Sequence, residues 1–193
     1  MIGFFVIYMR LKRDSNYLLN KLRNELPAAL HCHRVEDTAS VYEACKQLAA
    51  LEHISAYETK LLLTAACYHD TGFLKDTNGH EQISCEIARS TLSGYGYTED
   101  EISRICGMIV ATRIPQSPKN HLEEILADAD LNYLGRDDFF ALSNKLYLEW
   151  EASGKITGAN WDQIQIDFFE KYYYFTKTAL QLRLAKKHHI WLP

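Results

Sequence analysis

His69 and Asp70 are adjacent and close the most apolar run of the chain, Leu61-Leu62-Leu63-Thr64-Ala65-Ala66-Cys67, with Thr71-Gly72 following at once. An ionisable pair at the end of a buried segment is costly unless something compensates it. A divalent metal would, because imidazole nitrogen and carboxylate oxygen both suit Mn, Mg, Fe or Zn. Alone, the dipeptide reads equally well as a hydrogen-bonded histidine beside a helix-ending aspartate. Its company changes the weighing. His33 lies upstream in Leu30-His31-Cys32-His33-Arg34, His80-Glu81 follows downstream, and Asp128 and Asp130 sit inside Ile125-Leu126-Ala127-Asp128-Ala129-Asp130-Leu131. Carboxylates in so apolar a context are seldom buried unless paired or ligating. Together these segments offer His and Asp groups from four places, which is how a helical bundle builds a metal site in its core.

The elements that must position these groups read as helices. Asp14 or Ser15 caps a first one carrying Tyr17, Leu18, Leu22 and Leu26 and ending at Pro27. A second runs from about Val35 to Leu51, with Val41, Ala44, Cys45 and Leu48 at helical spacing. Ser55 with Glu58 forms a capping box for Ala56 to Tyr68, apolar nearly all round and therefore central. His80 opens a fourth helix broken at Gly94-Tyr95-Gly96, and Thr98 with Glu101 caps a fifth. Ser117-Pro118 starts a sixth that Gly135 closes. Asn160 caps a long last helix through Trp161, Ile164, Phe168, Tyr172 and Phe175. The stretch from Ala152 to Gly158 is the best linker, and strand signals are almost absent. The aromatic run Tyr172 to Phe175 reads as core plus interface, since successive helical residues face different sides. The tail Lys186-Lys187-His188-His189 reads as a solvated helix end.

Composition bounds the function. The 193 residues, 47% hydrophobic and 24% charged, suit one globular domain with a substantial core. A net charge of -4 offers no basic track for extended nucleic-acid binding, though a few placed cations would serve one phosphorylated ligand. Five cysteines without a CxxC pair point to free thiols in a reducing, cytoplasmic compartment. The apolar start, Met1 to Met9, is too short to span a bilayer and lacks signal-peptide features. It reads as an arm packing on the domain, or as a start placed ahead of Met9.

The blocks Cys32-His33-Arg34-Val35-Glu36-Asp37-Thr38, His69-Asp70-Thr71-Gly72-Phe73, His80-Glu81-Gln82-Ile83-Ser84 and Asp128-Ala129-Asp130-Leu131-Asn132-Tyr133-Leu134-Gly135 stand in that order. The sequence resembles the HD-domain metal-dependent phosphohydrolase superfamily over about residues 26–140. The resemblance implies an all-α, HD-domain-like helical bundle. Residues 1–25 would form an arm and first helix, 26–150 the HD domain, and 151–193 a C-terminal helical extension packed on the same domain.

It further implies a metal held by His69, Asp70, a final aspartate and a residue at position 37. The family has histidine at that last position and this chain has Asp37, which shifts preference towards Mn or Mg. Alignment favours Asp128 as the final ligand with Asp130 behind it; a shifted alignment reverses the two. His33 matches a general acid of the related cyclic-nucleotide phosphodiesterases. Asp70 or Asp128 would orient the attacking water, and His80 would hold a second metal or that water. Arg34, Lys75, Arg113 and Lys119 are the candidate phosphate cations.

The implied activity is metal-dependent hydrolysis of a small phosphate ester or nucleotide. The alternative is a catalytically degenerate HD module that binds a nucleotide or a protein partner, because Asp37 replaces the usual histidine. The aromatic C-terminal helix allows a homodimer.

Overall fold

Side chains cap the starts of three helices among the described residues, at Ser55, Thr98 and Asn120. In the computed structural model the described residues are 18, 20, 22–27, 30–156 and 160–183. They form helices α1 (Val35–Leu51), α2 (Ala56–Tyr68), α3 (His80–Leu92), α4 (Glu99–Ala111), α5 (His121–Asp130), α6 (Phe139–Ala152) and α7 (Trp161–Lys171), with 177–183 also helical. Short 3-10 turns occupy Thr71–Leu74, Ser93–Tyr95 and Asn132–Gly135. No strand occurs among the described residues. The N-terminal arm, the Asp14/Ser15 cap and the Lys186–His189 tail lie outside them.

Ser55 accepts the Glu58 N–H at 3.2 Å, and the Glu58 carboxylate takes the Ser55 hydroxyl at 2.8 Å. Thr98 and Glu101 form the full reciprocal box, satisfying one orphan donor in each direction. α2 is the hub: every residue from Leu61 to Tyr68 is buried, and α1, α3, α4 and α5 all pack on it. The core joins these five helices, with Leu18, Tyr174 and Ala179 inserted from the chain ends. Leu131, Leu134, Phe139 and Phe169 form a smaller cluster under α6 and α7.

Three boundaries differ from expectation. α5 begins at His121 rather than at Ser117-Pro118, because Asn120 accepts the Glu123 N–H at 3.2 Å while Glu123 takes the Lys119 N–H at 2.7 Å. It ends at Asp130, and Gly135 closes a separate 3-10 turn. α7 stops at Lys171 instead of running through Phe175, with Tyr172 extended at φ -98°, ψ 132°. The cause is Asp128 on α5. Its carboxylate accepts the Phe175 N–H at 2.8 Å, the Thr176 N–H at 2.8 Å and the Thr176 hydroxyl at 2.7 Å. That anchor turns the aromatic run across the bundle, burying Tyr174 and leaving Tyr173 68% exposed.

Candidate metal centre and the cavity beside it

The His69-Asp70 pair sits where α2 ends and its backbone turns. Ser84 on α3 clamps the turn, donating to the His69 carbonyl at 2.7 Å and accepting the Gly72 N–H at 2.8 Å. A Cβ on Gly72 would lie 2.0 Å from the His80 carbonyl oxygen, so only glycine lets the start of α3 approach this closely. Gly79, at φ +66°, supplies the left-handed turn that leads into His80.

His69 is 1% exposed, and its Nδ1 is 2.9 Å from the Ala66 carbonyl, which makes Nδ1 the donor. Nε2 then faces Asp70 at 3.3 Å and Asp130 at 3.5 Å, yet it is buried without a hydrogen-bond partner among the described residues. Ligand atoms of Asp37, His69 and Asp70 lie within 4.8 Å of one another. A nitrogen aimed among carboxylates with no hydrogen bond of its own is a place for a cation, a proton or a metal ion. His80 completes the ring of groups, its Nε2 3.5 Å from Asp70 and 3.7 Å from Glu81.

The electrostatics follow from burial and crowding. Burial raises the Asp37 carboxyl to about 7, Asp70 adding to the rise while His33 and His69 oppose it. Asp70 goes the other way: burial opposes its charge, but His69, His33 and His80 hold it well below the ordinary carboxylate range. For His69, burial works against the cation, yet Asp70 and Asp130 raise it well above the ordinary histidine value.

His33 is aimed by a residue that sequence reasoning missed. Glu149 on α6 bonds His33 Nδ1 through Oε1, and its Oε2 accepts the backbone N–H groups of His31, Cys32 and His33 at 3.1, 3.0 and 3.2 Å. Burial disfavours the imidazolium, but this bond together with Asp70 raises His33 to about 9. The sequence did hold a signal: Glu149 falls three residues after Leu146 and seven after Leu142, on an otherwise apolar helical stripe. The rings of His33 and His80 both stack on Phe73, at 4.5 and 4.1 Å.

His33, Asp37, Asp70, His80, Glu81 and Asp130 all line one cavity of about 130 Å³. Asp128 does not. Expected as the final ligand, it instead bonds Phe175 and Thr176, and Asp130, the alternative, is the aspartate that faces His69. The candidate phosphate cations lie apart from the cavity. Arg34 and Lys75 are exposed on the surface, Arg113 pairs with Glu81 at 3.6 Å from outside, and Lys119 lines a different pocket. None of the four lines the cavity.

Two solved structures share this architecture. One, described as a predicted HD superfamily hydrolase from an uncultured Thermotogales bacterium, superposes with a TM-score of 0.65 at 17% identity, covering 91% of this chain and 86% of its own. The other, from Lactobacillus plantarum, gives 0.67 at 20% identity, covering 94% and 93%. The chain has the HD-domain fold. No protein-family profile and no curated protein matches its sequence. Among the described residues of this HD-fold chain, no helix is long and apolar enough to cross a membrane.

Proposed function

We propose that the chain is a metal-dependent phosphohydrolase of the HD superfamily acting on a small phosphate ester. The observation that supports this most is the buried, unpartnered Nε2 of His69 set among Asp70, Asp130 and Asp37. One nitrogen and three carboxylates make a hard donor set, which favours Mn or Mg over Zn. A divalent ion held there supplies a Lewis acid for a phosphoryl oxygen and lowers the pKa of a water. Protonated at neutral pH, His33 is the general acid for the departing ester oxygen, and Glu149 is its positioning residue. His80, beside Asp70, orients the attacking water. The cysteines are free, which suits a cytoplasmic enzyme.

A second reading has its own observation. With its carboxyl raised to about 7, Asp37 is only partly ionised at neutral pH and is a weaker ligand than histidine would be, as in a degenerate module that binds without turnover.

Calorimetric titration with Mn and Mg, alongside hydrolysis of a phosphate-ester panel, separates the two. The hydrolase reading expects one ion per chain and metal-dependent turnover, both lost in His69→Ala. Metal-dependent turnover unchanged in His69→Ala would show the centre to be misassigned. Binding and turnover appearing only in Asp37→His would overturn the hydrolase reading.

A further inference from the structure

The sequence pattern of α6 and α7 predicts core, and the structure shows something else. Leu142, Leu146 and Trp150 recur at i, i+4, i+8 on α6, and Trp161, Ile164 and Phe168 at i, i+3, i+7 on α7. All six are only half-buried, because the two stripes line the same cavity as the metal-centre carboxylates. Trp150 and Trp161 meet edge to face at 5.9 Å. Two apolar stripes left facing a cavity, when neighbouring helices bury theirs completely, form a built wall for a ligand.

The chemistry of the lining narrows that ligand. Among the described residues no lysine or arginine lines the cavity, while Asp37, Asp70, Glu81 and Asp130 do. A polyphosphate chain would find no fixed positive charge beyond the histidines. Away from the histidines and carboxylates the polar lining is Cys32, Thr112, Tyr133 and Gln165, whose Oε1 already accepts the Ser143 hydroxyl at 2.7 Å, so the wall between α6 and α7 suits an apolar group better than a nucleobase edge.

We propose that the substrate is a phosphomonoester whose organic group is uncharged and apolar, seated between α6 and α7. This rests on the phosphohydrolase reading of the metal centre, and the test keeps the two apart.

Mn-loaded protein is titrated with phenylphosphonate, methylphosphonate and adenosine monophosphate, reading the fluorescence of Trp150 and Trp161. Phenylphosphonate is expected to bind on the order of 30-fold more tightly than methylphosphonate, the ratio expected for burying one ring. Leu146→Asn, at a half-buried position, should shrink that ratio severalfold, and the ligand series in the unaltered protein tests the idea without any variant. Equal affinities for the two phosphonates, or tighter binding of adenosine monophosphate than of phenylphosphonate, overturns the inference. Hydrolysis of phenyl phosphate, methyl phosphate and adenosine monophosphate is measured in parallel. The expected binding order with no ester hydrolysed supports the cavity assignment and overturns the hydrolase reading. Turnover that favours the nucleotide upholds the hydrolase and overturns the cavity assignment.

Discussion

Replacing Glu149 with glutamine removes a buried charge while keeping the shape that organises the 31–33 turn. The wild-type carboxylate meets His33 with one oxygen and three backbone N–H groups with the other, and it is 7% exposed. Burial holds the imidazolium down, yet the Glu149 bond, with help from Asp70 and Asp37, lifts His33 from 6.5 to about 9. A rise of that size corresponds to roughly 3 kcal/mol of preference for the protonated ring in the folded protein, and Glu149→Gln is expected to lose on the order of 2 kcal/mol of it, since the Glu149 bond is the largest of the raising causes while Asp70 and Asp37 remain. Because the folded value is raised, this stability is fully present below the ordinary histidine pKa and is lost as pH rises through about 9. Glu149→Gln should therefore lower Tm by about 4–8 °C near pH 6. The deficit should shrink near about pH 10, where the wild type has lost its imidazolium too. Following the His33 ring by NMR, the midpoint should fall from about 9 towards the ordinary histidine value in the variant. A midpoint that stays put, or an equal Tm deficit on both sides of it, would refute the pairing argument.

Gly72→Ala should cost about 3 kcal/mol in denaturant melts, because its Cβ would fall 2.0 Å from the His80 carbonyl oxygen; a neutral result would mean that α3 is not pinned at that turn. Asp128→Asn should lower Tm and loosen the 175–176 turn in hydrogen exchange, while Mn affinity per folded molecule holds. Asp130→Asn should do the opposite, weakening Mn binding by calorimetry with little loss of Tm. Lys75→Ala and Lys119→Ala should leave KM for phosphate esters unchanged in steady-state assays, since neither residue lines the cavity.

Much of the fold was legible because local rules were strong. Continuous apolar residues from Leu61 to Cys67 announced a central helix, and the Thr98–Glu101 spacing fixed a helix start that the structure shows atom for atom. The His69-Asp70 pair stood out because burial makes an ionisable pair expensive, and the structure buries the His69 Nε2 there without a hydrogen bond among the described residues. What failed to show depends on contacts distant in sequence. Nothing near Tyr172 marks the end of α7; the break comes from an aspartate more than forty residues earlier. Nor does anything near His33 name Glu149, more than a hundred residues away. No helix was expected over 139–152, and the apolar stripe of α7 showed its period but not whether protein or ligand would cover it, because hydrophobic spacing is identical in both cases.

The Asp-x-Asp pair of α5 shows why such sites resist reading by alignment alone. A helix advances about 100° per residue, so Asp128 and Asp130 point roughly 200° apart, and both cannot face one ion. Each lies in the same apolar setting and each is costly to bury, so local sequence context weighs them equally. Compensation differs. Asp128 is compensated by three donors from the 175–176 turn, which join the C-terminal segment to the core through Tyr174 and Ala179. Asp130 has the His69 Nε2 beside it and opens on the cavity. One carboxylate therefore anchors the 175–176 turn and the other faces the cavity. Stability and metal affinity, measured together on Asp128→Asn and Asp130→Asn, separate the two roles.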